Sequence, residues 1–261
     1  MINTNYHTHT RRCNHAEGSD EDYVKAAIAA GFSEIGFSDH SPWPAHPFET
    51  SFIRMKIALF PDYVNSIKQL QKKYEKEISI KIGLECEYFE DRMEWLKKSI
   101  DQYQLDYIIL GNHFHKFETH DRYYGFYRDK KNLLLDYLSD SVAALDTGMY
   151  SAYAHPDIFV RSLERWSFEA EKMSEMLLLK ARDSDVPVEY NLGGVRSGNY
   201  GGIGYPYPRF WELAAAIGNE VIIGIDAHSP MDFHDTNTIL AAEKYLHSLG
   251  IKPITKLRFK K

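Results

Sequence analysis

A chain of 261 residues with 44% hydrophobic side chains is long enough to bury a substantial core, and no shift in composition divides it. Its net charge of −6 argues against a general polyanion binder, so nucleic acid is an unlikely partner, and its two cysteines, Cys13 and Cys86, form neither a disulfide framework nor a Cys-x-x-Cys redox pair. No apolar run approaches the roughly eighteen residues of a membrane span, and Met1 is followed at once by polar residues, so a soluble, cytoplasmic protein without a signal peptide is expected.

In chain order, the β-branched and aromatic run Ile2 to Tyr6 predicts a first strand, with His7 and His9 directly after it on one face. Ser19-Asp20-Glu21-Asp22 fits a capping box that opens a first helix, with Val24, Ala27 and Ile28 as its buried stripe and Gly31 as its stop. Further strands are predicted over Glu34 to Ser38, Ile78 to Leu84, Asp106 to Leu110, Tyr150 to Ala154, Val186 to Tyr190 and Glu220 to Ile225. Between and after them, helices are expected at Asp62 to Lys76, Asp91 to Tyr103, Lys131 to Asp146, Ser167 to Arg182, Pro208 to Ile217 and Thr236 to Leu249. Such alternation implies a parallel sheet in one α/β domain spanning 1–261, and its length suits a closed barrel. Ser41 to Phe60, Phe114 to Lys130 and Gly193 to Tyr207 are long, aromatic or rich in Gly and Pro, and read as functional loops.

Six of the seven predicted strands deliver His, Asp or Glu at their carboxyl ends: His7 and His9, Asp39 and His40, Glu85, His113, His155, and Asp226 with His228. In a βα barrel those ends share one face, so these residues converge, and His15 reaches the same pocket from the first loop. A lone histidine after a strand is ordinarily a hydrogen-bonded loop residue; its repetition at one end argues for metal. His46, His120, His234 and His247 lack that setting and read as solvated, while His115 is placed to line the pocket without binding metal. Seven imidazoles and two carboxylates exceed the ligand set of one ion, so two or three cations are expected, with Glu85 as the bridging carboxylate. Neutral imidazole favours zinc, iron or manganese over magnesium or calcium.

His7-Thr8-His9 with His15, Ser38-Asp39-His40, Gly83-Leu84-Glu85, Gly111-Asn112-His113, Ala154-His155-Pro156 and Gly224-Ile225-Asp226-Ala227-His228 resemble the successive motifs of the polymerase and histidinol phosphatase (PHP) superfamily. SDHSPWP and HPD look most like its stand-alone histidinol-phosphatase branch. The resemblance implies a distorted (βα)7 TIM-like barrel with a trinuclear metal site. Carried over position by position, it gives one metal His7, His9, Glu85 and Asp226, a second Glu85, His113 and His155, and a third His15, His40 and His228.

Such a site points to hydrolysis of a phosphate monoester by a metal-activated hydroxide. Catalysis is assigned to Asp226, Glu85 and His228, with Asp226 or a metal-bound water as proton donor to the leaving group, and Asp39 is expected to orient an imidazole. Arg161 in HPDIFVRS and Arg196 in LGGVRSGNYGG are placed to grip phosphate. The resemblance implies L-histidinol phosphate and histidine biosynthesis; Glu87, Glu118 and Asp121 are then candidate acceptors for the rest of the substrate, with His115 beside them. Another small phosphate ester, nucleotides or polynucleotide ends form the alternative substrates, and a purely structural or sensory metal cluster is disfavoured by the absence of cysteine pairs. Oligomeric state is not legible in the sequence.

Overall fold

The structure, a computed structural model, describes residues 2–118, 123–127, 132–198 and 203–260. Seven parallel strands pair in sequence order: β1 (Thr4–Asn5), β2 (Glu34–Phe37), β3 (Ser79–Cys86), β4 (Tyr107–Gly111), β5 (Ala152–Ala154), β6 (Val188–Asn191) and β7 (Val221–Gly224). The ring closes where the His9 amide donates to the Ala227 carbonyl at 2.9 Å and the Ala227 amide to the His7 carbonyl at 3.2 Å. Parallel neighbours need crossovers, supplied by α1 (Asp20–Ala29), α2 (Phe60–Lys73), α3 (Met93–Tyr103), α4 (Leu133–Asp146) and α5 (Phe168–Asp183). A short α6 (Leu192–Ser197) and α7 (Pro208–Ile217) join β6 to β7, and α8 (Thr236–Ser248) follows the last strand. The expected distorted seven-stranded barrel is the fold observed. No helix among the described residues is long and apolar enough to cross a membrane.

Local chemistry sets the element ends. Ser19 and Asp22 form the reciprocal capping box at the start of α1, with Asp22 N–H donating to Ser19 Oγ at 3.2 Å and Ser19 N–H to Asp22 Oδ2 at 2.8 Å. The helix expected from Asp62 begins earlier, at Phe60, because Pro61 suits a first turn whose amide has no partner in any case. The helix expected from Asp91 starts at Met93, after a single 3-10 turn at Glu90–Arg92, and Ser167 serves as the N-cap of α5. In the Gly-rich stretch expected to be a loop, Asn191 caps α6 by accepting from the Gly194 amide at 2.8 Å.

Below the sheet's carboxyl face, the barrel is filled by aromatic side chains. The Tyr107 ring occupies the space over Gly36 and Gly83, where any β-carbon would collide with it, and its hydroxyl donates to the Tyr6 carbonyl at 2.7 Å. The segment after α8 runs beneath this layer: Ile254 N–H donates to the Val221 carbonyl at 2.8 Å, and Phe259 stacks on Tyr107 with ring centroids 5.2 Å apart. The base of the barrel is therefore plugged by residues 251–260, which the sequence pattern left unassigned. Phe259→Ala should lower unfolding free energy by about 2 kcal/mol, less than for a fully buried Phe because Phe259 is only half-buried. Urea titration checks this, and bound-metal content should be unchanged.

Candidate metal centre

All nine candidate donors meet at the carboxyl end of the barrel. Asn5 at the end of β1 shapes the first turn by donating from Nδ2 to the His7 carbonyl at 3.0 Å and to Thr8 Oγ1 at 2.8 Å, while its Oδ1 accepts the Ile225 amide at 2.8 Å. First and last strands are thus locked together where their ligands emerge. His7 and His9 leave on one face, as their spacing requires, with Nε2 atoms 3.1 Å apart. His155 and Asp226 both take left-handed backbone conformations, φ +32° and +52°, which turn their side chains into the pocket.

Glu85, inside β3, is the centre of the arrangement. Its Oε1 lies 2.8 Å from His155 Nε2 and 3.2 Å from His113 Nε2, and its Oε2 lies 3.0 Å from His40 Nδ1, 3.4 Å from His7 Nε2 and 3.5 Å from His9 Nε2. Asp226 Oδ1 completes the second group, 3.4 Å from His7 Nε2 and 3.3 Å from His9 Nε2. At the rim, His15 and His228 bring their Nε2 atoms to 2.9 Å, and both lie with His40 in a third donor group. Gly111 on β4 leaves the room that Glu85 occupies; a β-carbon there would overlap the carboxylate.

The donor set fits divalent cations. Glu85 Oε2 is buried and accepts no hydrogen bond among the described residues, although three imidazole nitrogens surround it. Donor separations of this size match the edges of a tetrahedral zinc polyhedron, about 3.3 Å for bonds of about 2.0–2.1 Å. One carboxylate with separate imidazole groups at its two oxygens is the geometry of a bridging ligand.

Charge divides six of the imidazoles into two sets. Burial opposes the imidazolium form of His7, His9 and His113, but nearby carboxylates outweigh it: Glu189, Asp226 and Glu85 hold the His7 pKa well above its usual value, Asp226 and Asp39 bring His9 to about 9, and Glu85 and Glu87 bring His113 to about 10. Burial and the charge on His9 push the other way at the rim, lowering His15, holding His40 well below the usual imidazole range and taking His228 to about 3. Glu85 and Asp226, despite burial, are held well below the usual carboxylate range by the imidazoles around them.

Three further carboxylates stand behind the ligand imidazoles. Asp39 places Oδ1 3.5 Å from His9 Nδ1, beyond a well-formed hydrogen bond, while its Oδ2 accepts the Thr10 hydroxyl. Glu87 accepts from His113 Nδ1 at 2.8 Å and is itself clamped by Arg54 at 2.6 Å and by Trp43 Nε1 at 3.0 Å. Glu189 on β6 accepts from His7 Nδ1 at 2.8 Å. The sequence reading missed Glu189 and Arg54; a lone acid inside the apolar run Val186 to Tyr190 was the available signal for the first.

The mouth opens as an inner cavity of about 380 Å³ walled by the donors, Tyr123 and Tyr205, and an outer cleft of about 830 Å³ that includes Arg161 and Arg196. Both expected arginines therefore stand beside the donors. Arg196 also donates to the carbonyls of Ile225 at 2.7 Å and Asp226 at 3.0 Å. Glu17, which the sequence reading did not single out, lies on the cleft wall. Three expected substrate contacts are placed elsewhere. Glu87 is consumed by His113 and Arg54, Glu118 pairs with Arg54 at 2.7 Å and accepts the Ser51 hydroxyl, and His115 turns to Asp140 at 3.0 Å in a separate surface hollow with His46. Asp121 and His120 lie outside the described residues. His46, His234 and His247 are exposed, as expected of solvated histidines.

The PHP domain family model matches residues 5–192, and the chain belongs to that family. A probable histidinol-phosphatase of Deinococcus radiodurans is 27% identical over 232 residues, covering 86% of this chain and 85% of the relative. HisK of Listeria monocytogenes aligns with a TM-score of 0.75 at 20% identity, over 90% of this chain and 99% of that one. The histidinol phosphate phosphatase of Lactococcus lactis, solved with zinc, L-histidinol and phosphate, aligns with a TM-score of 0.72 at 19% identity, over 98% and 99% of the two chains. Both structures share the barrel fold.

Because the surrounding carboxylates raise His9 to about 9 and His113 to about 10, each must lose a proton before its nitrogen can coordinate. Metal affinity should rise with pH up to that range, and loading at pH 7.5 should release at least about two protons. Calorimetry in buffers of different ionisation enthalpy measures that number.

Proposed function

We propose that this chain is a metal-dependent phosphate monoester hydrolase acting on L-histidinol phosphate, in histidine biosynthesis in the cytoplasm, with residues 1–261 working as one domain. The observation that carries the reading is Glu85 sharing its two oxygens between separate imidazole groups, beside a cleft that holds two guanidinium groups. His7, His9, Glu85 and Asp226 would hold one cation, Glu85, His113 and His155 a second, and His15, His40 and His228 a third, each zinc, iron or manganese. When bound, such cations supply Lewis acidity, lowering the pKa of water to about 7 and neutralising phosphoryl charge.

The chain's own residues account for binding and orientation. Arg161 and Arg196 offer guanidinium donors to phosphate oxygens from the cleft wall. Asp226, kept ionised by His7 and His9, acts as a ligand and acceptor rather than as the proton donor to the leaving group. Glu17, whose Oε1 accepts the Ser229 hydroxyl at 2.8 Å, is the cleft carboxylate that would receive the substrate's ammonium group, the role expected of Glu87, Glu118 or Asp121. Tyr123 and Tyr205 narrow the inner cavity and limit its access to water. Relatives named histidinol-phosphatase support the substrate.

Initial rates on histidinol phosphate, nucleoside monophosphates and a phosphodiester test the substrate; a tenfold preference for the diester would overturn it. Glu85→Ala or His9→Ala should abolish turnover. Arg161→Ala should raise KM by about 10- to 100-fold with little change in kcat, whereas Arg196→Ala should also lower kcat, because its guanidinium ties the backbone of Asp226. Glu17→Gln should raise KM for histidinol phosphate but not for an ester lacking the amine.

A further inference from the structure

β6 supplies none of the nine candidate donors, yet it places a carboxylate directly behind them. Glu189 is 3% exposed, and both of its oxygens are engaged by the ligand layer. Oε1 accepts from His7 Nδ1 at 2.8 Å; Oε2 accepts the backbone amide of His155 at 3.1 Å and Asn191 Nδ2 at 2.8 Å. Asn191 Nδ2 in turn reaches Asp226 Oδ2 at 3.2 Å. One side chain thus contacts His7 and His155 and, through Asn191, Asp226. Gly224 on β7 makes this possible, since a β-carbon there would overlap the Glu189 carboxylate.

Among the described residues no lysine or arginine pairs with Glu189; the ring of His7 is its ion-pair partner. A buried carboxylate facing only imidazole and amide donors is unfavourable by itself, and it becomes favourable when the far nitrogen of that imidazole meets positive charge. The rim differs in having no contact with Glu189 among the described residues: His15 Nδ1 faces the Cys13 carbonyl at 2.7 Å, His228 Nδ1 the Asp226 carbonyl at 3.1 Å and its Oδ1 at 3.4 Å, and His40 Nδ1 faces Glu85 Oε2 at 3.0 Å.

We propose that Glu189 is a positioning residue of the metal centre: it keeps the His7 proton on Nδ1, so that Nε2 presents its lone pair towards His9, Glu85 and Asp226, and it holds the His155 backbone in its left-handed turn. This rests on the reading that the donors bind divalent cations. Loss of such a partner weakens metal binding by about 10- to 100-fold. The effect falls on the cations held by His7 and His155, and the rim group of His15, His40 and His228 serves as an internal reference.

The experiment compares zinc-loaded wild type with Glu189→Gln, a substitution of similar volume without the charge. Each is titrated with a chelator, bound zinc is counted by elemental analysis, and folding is followed by circular dichroism. The expected result is a folded variant that loses its inner zinc at about 10- to 100-fold lower chelator concentration, with the rim zinc released as in wild type. An unshifted release curve overturns the proposal, as does equal weakening of every ion, which would mark a general structural role. A wild type that holds no zinc, iron or manganese overturns it together with the proposed function; a loaded wild type with an unaffected variant overturns it alone. If Glu189→Gln does not fold, nitrogen-15 NMR of histidine-labelled, zinc-loaded wild type decides. His7 protonated at Nδ1 supports the assignment, and His7 coordinated through Nδ1 overturns it.

Discussion

Glu85 sits at 1% exposure in the middle of the barrel mouth with five imidazoles around its two oxygens, and a charge so placed is stable only where opposite charge is brought to it. That requirement explains much of the surrounding structure. β4 carries glycine at position 111 to admit the side chain. Histidines arrive from β1, β2, β4 and β5, and the backbone bends into left-handed turns at His155 and Asp226 to aim them. Cations at the same place satisfy the constraint more fully than protons do, because one cation answers several donors at once.

From floor to rim the site passes from anionic to cationic surroundings. Asp39, Glu87 and Glu189 stand behind the inner imidazoles, and Glu85 and Asp226 lie among them, so the inner half is rich in negative charge. At the rim, burial and the charge on His9 keep the imidazoles neutral, with His15 and His228 facing backbone carbonyls and His40 turned to Glu85, and the two arginines stand just beyond. The outer cleft thus carries two guanidinium groups and the Glu17 carboxylate in its lining, ahead of the inner carboxylates. The same gradient gives the network of Arg54, Glu87 and Glu118 its purpose: it ties two irregular loops to His113 without placing a fixed cation in the pocket itself.

Much of the fold was legible because strand periodicity and helix punctuation are local. The capping box at Ser19, the proline that opens α7 and the glycine that follows it each lie within a few residues of the helix end they set. The candidate donors were legible for a different reason, since each follows an apolar strand and barrel topology sends all strand ends to one face. What escaped is information carried between distant segments. Nothing near Glu118 shows that Arg54 will take its carboxylate, nothing near His115 shows that Asp140 will turn its ring away, and the tail's place under Tyr107 depends on three-dimensional closure. Glu189 was within reach: an acid in an apolar strand demands partners, and a barrel interior limits what they can be.

The seam between the first and last strands has a consequence for how the protein matures. Asn5 binds the amide of Ile225, and His9 binds the carbonyl of Ala227, so residues at opposite ends of the chain must dock before Asp226 and His228 stand beside His7 and His9. Contacts so remote in sequence form late in folding. A nascent or nicked chain can hold at most scattered imidazoles, and its complement of cations should be recruited only once the ring has been sewn shut.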